Sequence, residues 1–140
     1  MTRHFPPPDP IVVTHHMMVI EAARCWRNAK DRGQSIQPCL YRILVPYDCV
    51  MLAPVFDSLM TLCESALSRR ITIGEALSLS DDEQMLIALL DGSKLCDTSI
   101  NCAKDAATIF NCAICSTRIM MSLAWGPCRW PVRASIGCRA

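Results

Sequence analysis

The chain is poor in the residues from which most active sites are built. Its three histidines, His4, His15 and His16, all fall in the first 16 positions. A catalytic His–Cys pair would therefore need the first helix against the last, and no pattern in the sequence indicates that. A glycine-rich phosphate loop, a His-Glu metal motif and a nucleophile elbow are all missing. The adjacent acids Asp81, Asp82 and Glu83 are explained as a helix start. These absences point away from enzymology, and we expect a non-enzymatic protein.

Charge is also scarce, at 19% of residues. There is no dense Lys/Arg run and no interleaving of bases with aromatics, which make up 6% of the chain. A nucleic-acid-binding regulator using basic surfaces is thereby disfavoured, though it stays open as an alternative. The N-terminal stretch has neither an apolar core segment nor a small-residue cleavage site, so we expect a cytoplasmic protein. The most apolar window, Ala106–Trp125, is broken by Asn111 and Arg118. A central arginine costs about 2.5–3.5 kcal/mol on membrane insertion. We read this window as a buried helix and expect no membrane segment.

What is present is apolar side chain, 51% of 140 residues. That length suits one domain with a core of its own. The apolar share exceeds that of an average soluble domain. Either the core is large or an apolar face is covered, and we favour a face covered by a second copy or a protein partner. Charge is unevenly spread. Residues 1–47 hold six bases and three acids, residues 48–105 four bases and ten acids, and residues 106–140 four arginines and no acid. Basic ends packing on an acidic middle would account for this.

Hydrophobic periodicity predicts an all-α, compact bundle of four main helices plus a short helix, with the last helix central. Residues 1–10 are proline-rich and expected to be disordered. Residues 11–125 form a single helical domain, and 126–140 a loosely ordered basic tail. The first helix runs from Ile11 to about Arg32, closed by Gly33. Its polar side is Glu21, Arg24, Arg27 and Asp31. A short helix spans Ile36–Val45. A third begins at Pro54 and runs to about Arg70, with Asp57 and Glu64 facing outward. Arg69 and Arg70 complement its C-terminal dipole. Ser80-Asp81-Asp82-Glu83 has capping-box spacing and opens a fourth helix, closed by Gly92. The last helix spans about Ser99–Trp125. Phe110, Ile114, Thr117 and Met121 mark one apolar stripe, and Cys112, Ile119 and Leu123 another on nearly the opposite side. Two apolar sides imply a central helix or one shared with a partner. We take Phe110, Ile114, Ile119, Met121 and Leu123 as the interaction face.

Ten cysteines remain to be placed. The chain is long for a disulfide scaffold, so we read them as free thiols, mostly packing as small hydrophobes. Cys96, Cys102, Cys112 and Cys115 are the concentrated group, and a thiolate-bound metal (zinc, iron–sulfur or copper) or a thiol redox sensor is the alternative function. Only Cys112 and Cys115 have the two-residue gap of a metal knuckle. Cys102 lies ten residues before Cys112, about 15 Å along a helix, which strains a four-cysteine site. Arg118, three residues after Cys115, would activate that thiol by favouring its thiolate. His15, His16, Met17 and Met18, with Met51, Met60, Met85, Met120 and Met121, could suit copper, but methionine as gap filler explains them more simply.

Overall fold

The structure, a computed structural model, describes residues 10–92 and 104–125. Within them the chain is all-α and compact. The helices are α1 (Pro10–Asp31), α2 (Ile36–Leu44), α3 (Ala53–Leu67), α4 (Asp81–Asp91) and α5 (Lys104–Trp125). Two 3₁₀ turns, Val45–Tyr47 and Val50–Leu52, link α2 to α3. The expected disorder of 1–10 and the tail 126–140 concern segments lying almost wholly outside the described residues, as do Cys96 and Cys102.

The punctuation is local and follows the residues. Gly33 takes φ +64°, and the Gln34 N–H donates to Ala29 O at 2.8 Å while Gly33 N–H donates to Lys30 O at 3.2 Å, which closes α1. The Ser80 hydroxyl accepts from the Glu83 N–H at 3.1 Å, and the Glu83 carboxylate accepts from the Ser80 N–H at 2.9 Å. Gly92, at φ +81°, closes α4.

One core joins all five helices. Trp26, Phe56 and Phe110 are its largest fully buried side chains. Each contributes about 1.5–3 kcal/mol by leaving water. Trp26 keeps its polar edge satisfied, donating from Nε1 to Asp57 Oδ1 at 2.9 Å. α3 packs against α1, α2 and α5, and α1 against α2, α3 and α4. α5 packs one face on α3 and α4 and leaves the other open.

Four acids expected at the surface or in a cap only are instead tied to the fold. Asp57 serves Trp26 and also accepts from Gln37 Nε2 at 3.0 Å. Glu64 pairs with Arg27 and accepts from the Ile71 N–H at 2.9 Å. Asp82 accepts from both Nη atoms of Arg69, at 2.7 and 2.8 Å, and from the N–H and hydroxyl of Thr72, both at 2.8 Å. The chain leaves α3 at Ser68, in the left-handed region, before the expected end at Arg70. Burial pushes the Asp82 carboxyl up, but Arg69 and Thr72 together hold it below its ordinary value.

Glu83 is the most enclosed of the acids. It accepts from Arg24 Nε at 2.7 Å, Arg24 Nη2 at 3.2 Å and the Gly74 N–H at 2.9 Å, besides the Ser80 N–H. Burial opposes its charge, yet these donors hold the carboxyl below its ordinary value. The same arginine reaches past Glu83 to Ala76 O at 2.8 Å and Ser78 O at 3.2 Å. It thereby grips a turn in which Ala76 is forced to φ +48°. Arg24 and Arg27 belong to the basic first third, and Glu83 and Glu64 to the acidic middle. Part of the charge asymmetry is thus spent in intramolecular pairing.

Candidate interaction groove

α3 and α5 do not close on each other along their full width. Between them lies an open groove of about 510 Å³. Pro54, Val55, Ser58 and Leu62 supply the α3 wall, and Ile109, Cys112, Ser116 and Met120 the α5 wall. The lining is mostly apolar. Its floor is core: Leu59 and Thr117 are buried. Thr117 satisfies its hydroxyl within α5, donating to Ala113 O at 2.7 Å. Small side chains at Ser58, Cys112, Ala113 and Ser116 keep the groove from filling.

Beside the groove, α5 carries large apolar side chains that touch little. Ile109 is 53% exposed, Ile119 60% and Leu123 72%. With Cys112 and Ser116, also exposed, they fall at positions 109, 112, 116, 119 and 123. The spacings alternate three and four, the seam pattern of paired helices.

The predicted face divides in two. Phe110, Ile114 and Met121 are buried in the core and are not available to a partner. Ile119 and Leu123 are on the surface. The two apolar stripes of α5 thus have different fates: the first is core and the second is open. The α3 wall is not part of the expected face, because the apolar Val55 and Leu62 fit the spacing of a buried stripe on that helix. Both are only partly buried. The exposed Pro54 and Ser58 on the same side were the available signal.

Of the cysteine group, only Cys112 and Cys115 fall among the described residues. Cys112 is free and exposed. Cys115 is disulfide-bonded, which corrects its reading as a free, reactive thiol. Arg118 therefore has no thiol there to activate. Its guanidinium lies instead against Gly92 at the end of α4, so close that a β-carbon on Gly92 would come within 3.0 Å of Nη2. A cation there complements the carboxyl end of the helix dipole. Among the described residues, no group of three His, Cys, Asp or Glu side chains is placed to hold a metal. His16 Nε2 and Asp91 Oδ2 are 3.9 Å apart, linking α1 to α4.

Two helical segments, Val50–Leu67 and Asp105–Ala124, are long and apolar enough to cross a membrane by length and composition alone. The second is 22% buried in the fold. No protein family, curated protein or solved structure is significantly similar to the chain. Fold and groove together define a class only: an all-α protein with an open apolar groove between two helices.

Proposed function

We propose that this is a non-enzymatic interaction protein of the cytoplasm, with a regulatory role, whose α3–α5 face is covered by a second copy of the same chain. The observation that carries this reading is the seam Ile109, Cys112, Ser116, Ile119 and Leu123, exposed beside a groove of matching character. A groove of this kind takes an apolar ridge from a partner helix. The chain offers such a ridge itself in Ile119 and Leu123. Two-fold pairing would seat each ridge on the other copy, using one patch twice. The cations and acids that meet elsewhere, Arg24 with Glu83 and Arg69 with Asp82, saturate one another, which favours binding over chemistry.

Sedimentation of the full chain tests this. A dimer that Leu123→Glu converts to monomer, with helical content unchanged, is the expected result. A wild-type monomer at high micromolar concentration sinks the self-association. Flotation of the wild type, but not of Leu123→Glu, with neutral-lipid vesicles would assign the same face to a membrane instead. The cytoplasmic assignment rests on the five free thiols among the described cysteines, while the Cys115 disulfide argues for an oxidising compartment. Alkylation of Cys115 in freshly lysed cells would support the cytoplasm; protection of it would not.

A further inference from the structure

α5 is one continuous helix from Lys104 to Trp125, and Cys112 and Cys115 stand three residues apart within it. Helix geometry fixes their relation: side chains at this spacing share a side, with β-carbons about 5–6 Å apart. Their chemical states differ. Cys112 is a free thiol, exposed on the wall of the groove. Cys115 is half-buried and disulfide-bonded. The other five described cysteines are free, so the sulfur bonded to Cys115 belongs to Cys96, Cys102, Cys128 or Cys138. An accessible thiol thus stands one helical turn from a disulfide sulfur. Disulfides join β-carbons about 4 Å apart, so a bond between the two would need this turn to tighten by about 1 Å. Tightening toward 3₁₀ spacing does that, because it eclipses side chains three apart. The turn is already loosened: Ala113 O, inside it, accepts from the Thr117 hydroxyl at 2.7 Å. Such back-bonding competes with the helix ladder and bends it.

We propose that Cys112 and Cys115 form a disulfide-exchange site, in which a bond tethering α5 to another part of the chain is traded for one inside the helix. The Cys112 thiol releases its proton to water, and its thiolate attacks Cys115 Sγ. The Cys112–Cys115 bond forms as the older S–S bond breaks. The sulfur formerly joined to Cys115 leaves with the electron pair and takes up a proton. One disulfide replaces another and one thiol replaces another, so no oxidant or reductant is consumed. The attack falls on Cys115 Sγ and not on the far sulfur, because the helix holds Cys115 beside Cys112. The tether is thereby released without a reductant, and the seam loses its thiol. The exchange does not depend on whether that seam pairs two copies.

The test uses the full chain, folded and purified without reductant. It is held at about pH 8.5, where thiolate is abundant, and sampled over time. Each sample is trapped with N-ethylmaleimide in denaturant at about pH 6, where exchange is slow, and then digested with trypsin for mass spectrometry. Cleavage after Lys104 and Arg118 leaves both cysteines in one peptide, residues 105–118. At the start that peptide should be joined to another through Cys115 and carry one maleimide on Cys112. With time it should appear alone, two hydrogens lighter than its dithiol form and without maleimide, at a rate unchanged by dilution. In Cys112→Ser the joined peptides should persist. The proposal is overturned if wild-type Cys112 keeps its maleimide throughout, or if the maleimide moves to Cys115, which would mean attack on the far sulfur. It is also overturned if the rate rises with protein concentration, or if Cys115 carries maleimide from the start. The wild-type time course decides even if Cys112→Ser does not fold.

Discussion

The α1–α4 side of this molecule and its α3–α5 side solve opposite problems. On the first, buried carboxylates are held by arginines: Arg24 binds Glu83 and two loop carbonyls, and Arg69 binds Asp82 through both Nη atoms. On the second, the surface is apolar, with Ile109, Ile119 and Leu123 each more than half exposed. A buried pair is costly to break because the remaining charge is stranded, whereas an exposed apolar side chain contributes little to the monomer. The polar side is therefore where substitutions should damage folding, and the apolar side where they should damage association alone.

The largest effect belongs to Glu83. Glutamine at this position presents an N–H₂ group to a ring of donors and leaves Arg24 without its counter-charge. Urea unfolding of Glu83→Gln at pH 7 should show a loss of about 3 kcal/mol. The difference from wild type should depend on pH. Because the folded carboxyl lies below its ordinary value, its contribution is complete above about pH 4.3 and is lost as pH falls through the folded value. The two proteins should thus converge on acidification below that point. A gap that stays constant in acid would show that Glu83 acts by shape and not by charge.

Gly74 gives a smaller effect by a different route. A β-carbon there would lie 1.9 Å from Ser78 O, so the turn gripped by Arg24 must open to admit it. Gly74→Ala should cost about 2 kcal/mol, read by the same unfolding measurement. A neutral result would mean that the turn is slack and that the tight polar side ends at Glu83.

The smallest effect on folding should come from the open face. Leu123→Glu should change monomer stability by no more than about 0.5 kcal/mol. A loss above about 2 kcal/mol, measured at a concentration where the wild type is monomeric, would erase the contrast between the two sides. It would place Leu123 in the core with Phe110 and Met121.

Much of the architecture was legible from the residues in order. The ends of α1 and α4 follow from Gly33, Ser80 with Glu83, and Gly92, because caps act within a few residues of themselves. The two apolar stripes of α5 were equally visible, since periodicity reports which residues share a face. What periodicity does not report is which face finds a neighbour. Phe110, Ile114 and Met121 went inside, and Ile119 and Leu123 did not. That outcome depends on where α3 lies.

The charged residues show the same division at longer range. Asp81, Asp82 and Glu83 announced a helix start, and a helix starts there. Their second role was hidden, because Arg24 stands 59 positions before Glu83 and no local pattern joins them. Asp57 and Glu64 were assigned to solvent by their place on α3, and only packing against α1 supplied Trp26 and Arg27 as partners. The cysteines divide likewise. Their number and scatter are facts of the sequence, but the bond at Cys115 is a fact of three dimensions. Local chemistry determined the helices and their ends, since propensity and capping act along the chain. Tertiary structure alone decided which charges neutralise each other, which thiols meet and which apolar face is left open, since those depend on residues far apart in sequence.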